Sequence, residues 1–89
     1  YYQCSNGEDF FFEYNTVLHL ARIRRFTAGA DNHISPARSV TLTEGEWHDF
    51  KVILDEDIVV FYIDGQIVGS AEGSYGNIFE NGRCRIQGY

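Results

Sequence analysis

The sequence predicts a single all-β domain, and three observations carry that prediction. Apolar residues make up 44% of the chain, with seven Phe and six Tyr among them. β-Branched and aromatic side chains suit a pleated, half-buried surface better than a helix. Apolar and polar residues alternate at period two between Trp47 and Leu54, as a strand with one covered face requires. Turn signals interrupt the apolar runs every several residues, which suggests about eight short strands in a sandwich or open barrel. At 89 residues the chain is one domain, 1–89, burying roughly 60–65% of its unfolded surface, so its core is modest.

The elements follow in chain order. Asn6-Gly7-Glu8 reads as a turn, and Asp9 to Tyr14 as a short aromatic strand. Val17 to Phe26 is read as a strand. Leu18 and Leu20 alternate, Ile23 breaks the phase, and a bulge would restore it. Thr27 to Ala37 holds Gly, Asp, Asn and the only Pro, and reads as a loop. Ser39 to Leu42 is a short strand. Trp47 to Leu54 puts Phe50, Val52 and Leu54 on one face, with Asp49 and Lys51 on the other. Asp55-Glu56-Asp57 is an acidic turn. Ile58 to Ile63 is apolar on both faces and reads as a central strand. Asp64-Gly65 is the strongest hairpin signal, since a type I′ turn needs two residues that tolerate positive φ. Gln66 to Ala71 returns, Glu72 to Asn77 is a Gly-rich loop, and Ile78-Phe79 and Arg83 to Ile86 close the chain.

The net charge of −6 argues against nucleic acid as a partner, because an acidic domain repels phosphate backbones. No run approaches the ~20 apolar residues that span a bilayer, so no membrane insertion is expected. The chain has no Met, so Tyr1 is expected to begin a processed product or an excerpt of a longer protein. Cys4 and Cys84 lie near opposite ends. Paired, they would staple the first and last strands, contributing on the order of 4 kcal/mol by chain entropy. Unpaired, they are two thiols in a reducing compartment. The bridge is the expectation taken forward, with a secreted or cell-surface location, because small sandwich domains are often secreted.

The stretch Thr43 to Ala71, TEGEWHDFKVILDEDIVVFYIDGQIVGSA, resembles the concanavalin A-like (laminin G/lectin/glucanase) superfamily. The matching residues are Gly45, Trp47, His48, Val52, Val60, Tyr62, Asp64 and Gly65. The resemblance covers about a third of the chain. It implies an antiparallel jelly-roll sandwich, small or partial, because members of that superfamily are longer. It also implies a binding module, since the alternating Glu-x-Asp-x-x-Glu carboxylates of the glucanase members have no counterpart here.

Candidate chemistry is sparse. Tyr75, flanked by Ser74 and Asn77, has the grammar of a carbohydrate- or peptide-binding loop, a ring to stack on and small polar neighbours to bond hydroxyls, which is equally the grammar of any flexible loop. Trp47 is a second candidate platform, although the resemblance places such a Trp against the sheet as packing. His48 and Asp49 are strand neighbours that point apart, so His48 is expected at the surface. Asp55, Glu56 and Asp57 suit calcium by charge, but a solvated turn is the favoured reading and no cofactor is expected. Arg22, Arg24 and Arg25 form the only basic cluster, able to clamp a carboxylate or phosphate. No Gly-x-Ser-x-Gly motif is present. The expectation is a non-catalytic module that binds carbohydrate or a glycosylated surface. The alternatives are an assembly domain that pairs with another chain, or with its own kind, through its sheet edges, and a glycosidase fragment.

Overall fold

The computed structural model describes residues 1–4, 7–27, 30–76 and 78–86. Among them there is no helix, and nine strands form two antiparallel sheets. The strands are β1 (Tyr2–Gln3), β2 (Asp9–Asn15), β3 (Leu20–Thr27), β4 (Ala30–His33), β5 (Arg38–Ser39), β6 (Phe50–Leu54), β7 (Ile58–Ile63), β8 (Gln66–Glu72) and β9 (Arg83–Cys84). The larger sheet runs β4-β3-β2-β1-β9, with β5 also on β3, and the smaller is the meander β6-β7-β8. The all-β, sandwich-like expectation therefore holds.

The larger sheet is built on the β2–β3 hairpin, in register from Asp9↔Phe26 to Asn15↔Leu20. Asn15 makes its turn, its Oδ1 accepting the N–H groups of Val17 and Leu18 at 2.9 Å each. Val17 and Leu18 are thus exposed turn residues, and His19 takes a positive φ of 54°. The expected bulge is not needed. Once the strand starts at Leu20, Ala21 and Ile23 alternate regularly into the core.

The predicted loop at Thr27 to Ala37 contains β4, paired with β3 from Arg24↔His33 to Thr27↔Ala30. Polar Asp31, Asn32 and His33 hide this strand from a hydrophobic pattern. Between β4 and β5 the chain bows out around Ser35 and Pro36. Ser35 is buried, and its Oγ accepts the N–H of Ile23 at 2.8 Å. A side-chain oxygen thereby replaces the ladder partner that the interruption removes.

The smaller sheet follows the predicted hairpins. Asp64 and Gly65 have φ of 50° and 79°, as a type I′ turn requires. β7 is central, in register with β6 from Phe50↔Ile63 to Leu54↔Val59. On β8, Phe61 pairs with Gly69 and Tyr62 with Ile67, so Val68 is an extra residue in a β-bulge. The bulge turns Val68 inward, where it is buried.

The core lies between the sheets. Phe10, Ala21 and Ile23 come from the larger sheet; Val59, Phe61, Ile63, Val68 and Ala71 come from the smaller. Phe12 meets Phe61 edge-on at 5.8 Å between ring centroids. Beside that pair the sheets nearly touch. A Cβ on Gly69 would lie 3.2 Å from Ser35 Oγ and 3.3 Å from Ile23 Cγ1.

The first and last strands are neighbours, with Tyr2 opposite Cys84 and Gln3 opposite Arg83. The expected disulfide between Cys4 and Cys84 is not formed, and both thiols are free. The register explains this. Cys84 lies opposite Tyr2, two residues from Cys4, and such diagonal neighbours sit at or beyond the ~7 Å Cα limit for a bridge. Hydrogen bonds hold the two ends together instead of sulfur. Cys4 is buried. Burial, with the nearby Glu8 carboxylate, pushes its thiol up to about 11, which disfavours the thiolate.

Gly69→Leu is expected to force the sheets apart and lower unfolding free energy by about 1–3 kcal/mol. Ser35→Ala, which strands the Ile23 N–H, is expected to cost a similar ~1–3 kcal/mol. Urea denaturation of both variants checks this; wild-type midpoints would refute the close approach.

Candidate functional site

Strand alternation divides β2 and β3 into two faces. Phe10 points into the core, and Phe12 and Tyr14 pack against it, so Phe11 and Glu13 point outward. On β3, Ala21 and Ile23 point inward, so Arg22, Arg24 and Phe26 point outward. The outward residues meet across the ladder, Phe11 opposite Arg24 and Glu13 opposite Arg22. Tyr1 joins them through the other edge, since Tyr1 and Arg85 exchange backbone hydrogen bonds of 3.1 and 2.9 Å.

These side chains form one surface. The Tyr1 and Phe11 rings are stacked, with centroids 4.6 Å apart and planes 4° from parallel. Phe26 meets Phe11 edge-on at 5.1 Å. None of the three belongs to the buried core cluster or packs against it. The Arg24 guanidinium lies 5.2 Å from the Phe26 ring centroid. Glu13 bridges two arginines, 2.5 Å from Arg22 Nε and 3.1 Å from Arg24 Nη1. Partial burial raises the Glu13 carboxyl, but hydrogen bonds and charge from Arg22 and Arg24 outweigh it and hold the group below its ordinary value. Arg83 lies opposite Gln3, and Gln3 opposite Asp9, so Arg83 shares the outward face; Arg85 does so beside Tyr1. A chain of net charge −6 thus gathers four of its seven cationic residues on one aromatic face.

The basic cluster read from the sequence is divided by the same alternation. Arg25 lies on the inner side, ion-paired to Glu8 at 2.6 Å and over the Phe10 and Tyr75 rings at 5.3 and 5.7 Å. It closes one end of the core instead of joining Arg22 and Arg24.

The loop-based site expected from the sequence is not assembled. Tyr75 is buried, and its hydroxyl donates to Ala71 O at 3.2 Å. Its ring packs edge-on against Phe10 at 5.9 Å, and burial raises its phenol above the ordinary value. A buried ring with the Arg25 guanidinium over it offers no sugar platform. Ser74 is exposed beside it, and Asn77 lies outside the described residues. Trp47 is fully exposed, not packed against the sheet as the resemblance implied. It precedes β6 beside the Asp64 turn, whereas Ser74 adjoins Asp57, where Gly73 N–H donates to Asp57 O at 2.9 Å. The six residues of β7, roughly 20 Å of strand, separate the two. In the acidic turn, Asp55 Oδ1 accepts the Glu56 N–H at 2.7 Å. Among the described residues no three His, Cys, Asp or Glu side chains come together as a metal site.

His48 has a partner that sequence neighbours did not suggest. Its Nδ1 lies 2.6 Å from Asp64 Oδ2 and its Nε2 lies 2.8 Å from Thr43 O. Asp64 Oδ1 also accepts the Asp49 N–H at 2.8 Å. Both ring nitrogens face acceptors, so the doubly protonated ring satisfies both. The Thr43 carbonyl and then the Asp64 carboxylate raise the His48 pKa above its ordinary 6.5. The Asp49 N–H and then His48 hold Asp64 below its ordinary 3.8. The arrangement ties the start of β6 to the hairpin turn and leaves neither nitrogen free to act as a base.

Comparison with protein-family models, with curated proteins and with solved structures finds no match in any of the three. The concanavalin A-like resemblance therefore rests on its eight residues alone.

The His48–Asp64 pair sets a pH dependence. With a raised folded-state pKa, His48 stabilises the fold fully below pH 6.5, and that contribution is lost as pH rises through the folded value. Asp64, with a lowered value, contributes above 3.8 and loses its contribution as pH falls through the folded value. NMR titration of the His48 ring is expected to give a midpoint above 6.5. A midpoint at or below the ordinary value would contradict the pairing.

Proposed function

We propose that the chain is a non-catalytic binding module that takes carbohydrate on the outer face of its larger sheet. One observation carries the reading. The coplanar Tyr1–Phe11 stack, with Phe26 beside it, lies outside the core and is flanked by the Arg22–Glu13–Arg24 bridge. Sugar C–H faces stack on such rings, and guanidinium and carboxylate groups held by one another are pre-set to bond hydroxyls. Phe11 and Phe26 come from adjacent strands and Tyr1 directly precedes β1, so the sheet ladder, not a loop, fixes their spacing.

The charge of the face narrows the ligand. Arg22 and Arg24 are paired to Glu13, and Arg83 and Arg85 beside them favour a saccharide carrying carboxylate or sulfate, which arginine holds bidentately. The acidic remainder of the surface disfavours polyanions bound elsewhere and so adds selectivity.

A glycan array with wild type and Phe11→Ala tests the reading. Wild type is expected to retain carboxylated or sulfated saccharides. Phe11→Ala, which touches no core residue, is expected to weaken retention roughly tenfold, as truncating a central aromatic contact does. Trp47→Ala is expected to bind as wild type. Silence of wild type across a broad array, or full retention by Phe11→Ala, would refute the proposal.

A further inference from the structure

The outer strand of the smaller sheet, β6, is an unprotected edge. Asp49 O accepts the Asp64 N–H at 2.8 Å, and the Asp55 N–H donates to Ile58 O at 3.0 Å, so both residues turn their backbone groups towards β7. Directions alternate along a strand, so Lys51 and Ile53 do the same. The N–H and C=O groups of Phe50, Val52 and Leu54 therefore point away from the sheet. Among the described residues no strand pairs with them. Natural edges are blunted by Pro, bulges or several charges; β6 has no Pro and one charge, Lys51. It is also apolar on its surface. Trp47, Phe50, Val52 and Ile53 are four of the eight exposed large hydrophobics among the described residues.

We propose that this edge, continued through the residues Trp47 to Asp49 that lead into β6, pairs antiparallel with the same Trp47 to Ile53 edge of a second copy of the chain, across a two-fold axis at Phe50. Charge and apolar pattern together select partner and register. A two-fold at Lys51 sets Lys51 against Lys51, and one at Val52 sets Asp49 against Asp55, both like-charge pairs. A two-fold at Ile53 sets Lys51 opposite Asp55 but Phe50 opposite Glu56, and leaves Trp47 with no apolar neighbour. A two-fold at Phe50 sets Asp49 opposite Lys51 twice, Phe50 opposite Phe50, and Trp47 opposite Ile53. Each exposed apolar residue gains a neighbour, and the three-stranded sheet becomes six-stranded. The contact is isologous and closes on itself, so it ends at the dimer.

Sedimentation velocity of the full chain over a concentration series, with emission of the single Trp, Trp47, tests this. Wild type is expected to form a dimer with concentration, with a blue shift of Trp47 emission. Asp49→Lys alone and Lys51→Glu alone are each expected to dimerise about tenfold or more weakly, because like charges then face each other twice. An equimolar mixture of the two variants is expected to restore the dimer, since each supplies the charge its partner lacks. Recovery in the mixture also requires both variants to be folded. A wild type monomeric throughout, dimerisation unaffected by Asp49→Lys, or a mixture that stays monomeric would each overturn the proposal. Glycan binding through the larger sheet is unaffected by any of these outcomes.

Discussion

Phe61 cannot be buried unless the two sheets come within contact of each other, and Gly69 is what lets them. The two are paired across β7 and β8, and opposite them lie Phe12 and Ile23, paired across β2 and β3. Phe61 meets Phe12, and the missing side chain at Gly69 leaves room for Ile23 and the Ser35 hydroxyl. A large residue against a large one and a gap against a branched one is how a close-packed layer fills at native density. A short chain has few such layers, so this one fixes the sheet separation for the whole sandwich.

The surface follows from the same constraint. Because the core consumes only the inward half of β2 and β3, the outward half is left to polar and aromatic residues. The ladder register, set by the Asn15 turn, brings Phe11, Glu13, Arg22, Arg24 and Phe26 into two adjacent rows. The candidate ligand face is thus a by-product of where the core ends, held by elements that the core makes rigid. The smaller sheet differs. Its β6 faces solvent along its rim, and its inward Phe50 and Val52 stay part-exposed, so its apolar surface is unsatisfied within one chain.

The sequence made the smaller sheet legible and the site illegible, for physical reasons. The meander from β6 to β8 is built of local contacts, and alternation with Asp64-Gly65 is a local code. β4 was hidden because a polar edge strand owes its pairing to β3, not to its own pattern. Val17 and Leu18 read as strand because nothing in their hydrophobicity reveals that Asn15 folds them into a turn. Tyr75 lies among Gly and Ser, the grammar of an exposed loop, yet its ring packs against both Phe10 and Phe79. The proposed ligand face joins Tyr1, Phe11 and Phe26, residues up to 25 apart; the outward period-two pattern of DFFFEY and LARIRRF is the one signal that points to it. His48 and Asp64 are 16 residues apart, and only the hairpin register brings them together.

On the proposed reading, Tyr1 and the outward rows of β2 and β3, and not the loops, meet the ligand. Aromatic ¹H–¹³C NMR spectra recorded while a sulfated or uronic-acid oligosaccharide is added test this most directly. The account predicts saturable shifts confined to the Tyr1, Phe11 and Phe26 rings and the Arg22 and Arg24 side chains, with Tyr75 and Trp47 unmoved. Shifts centred on Trp47 or on the Ser74 loop, with the Phe11 ring unperturbed, would contradict it.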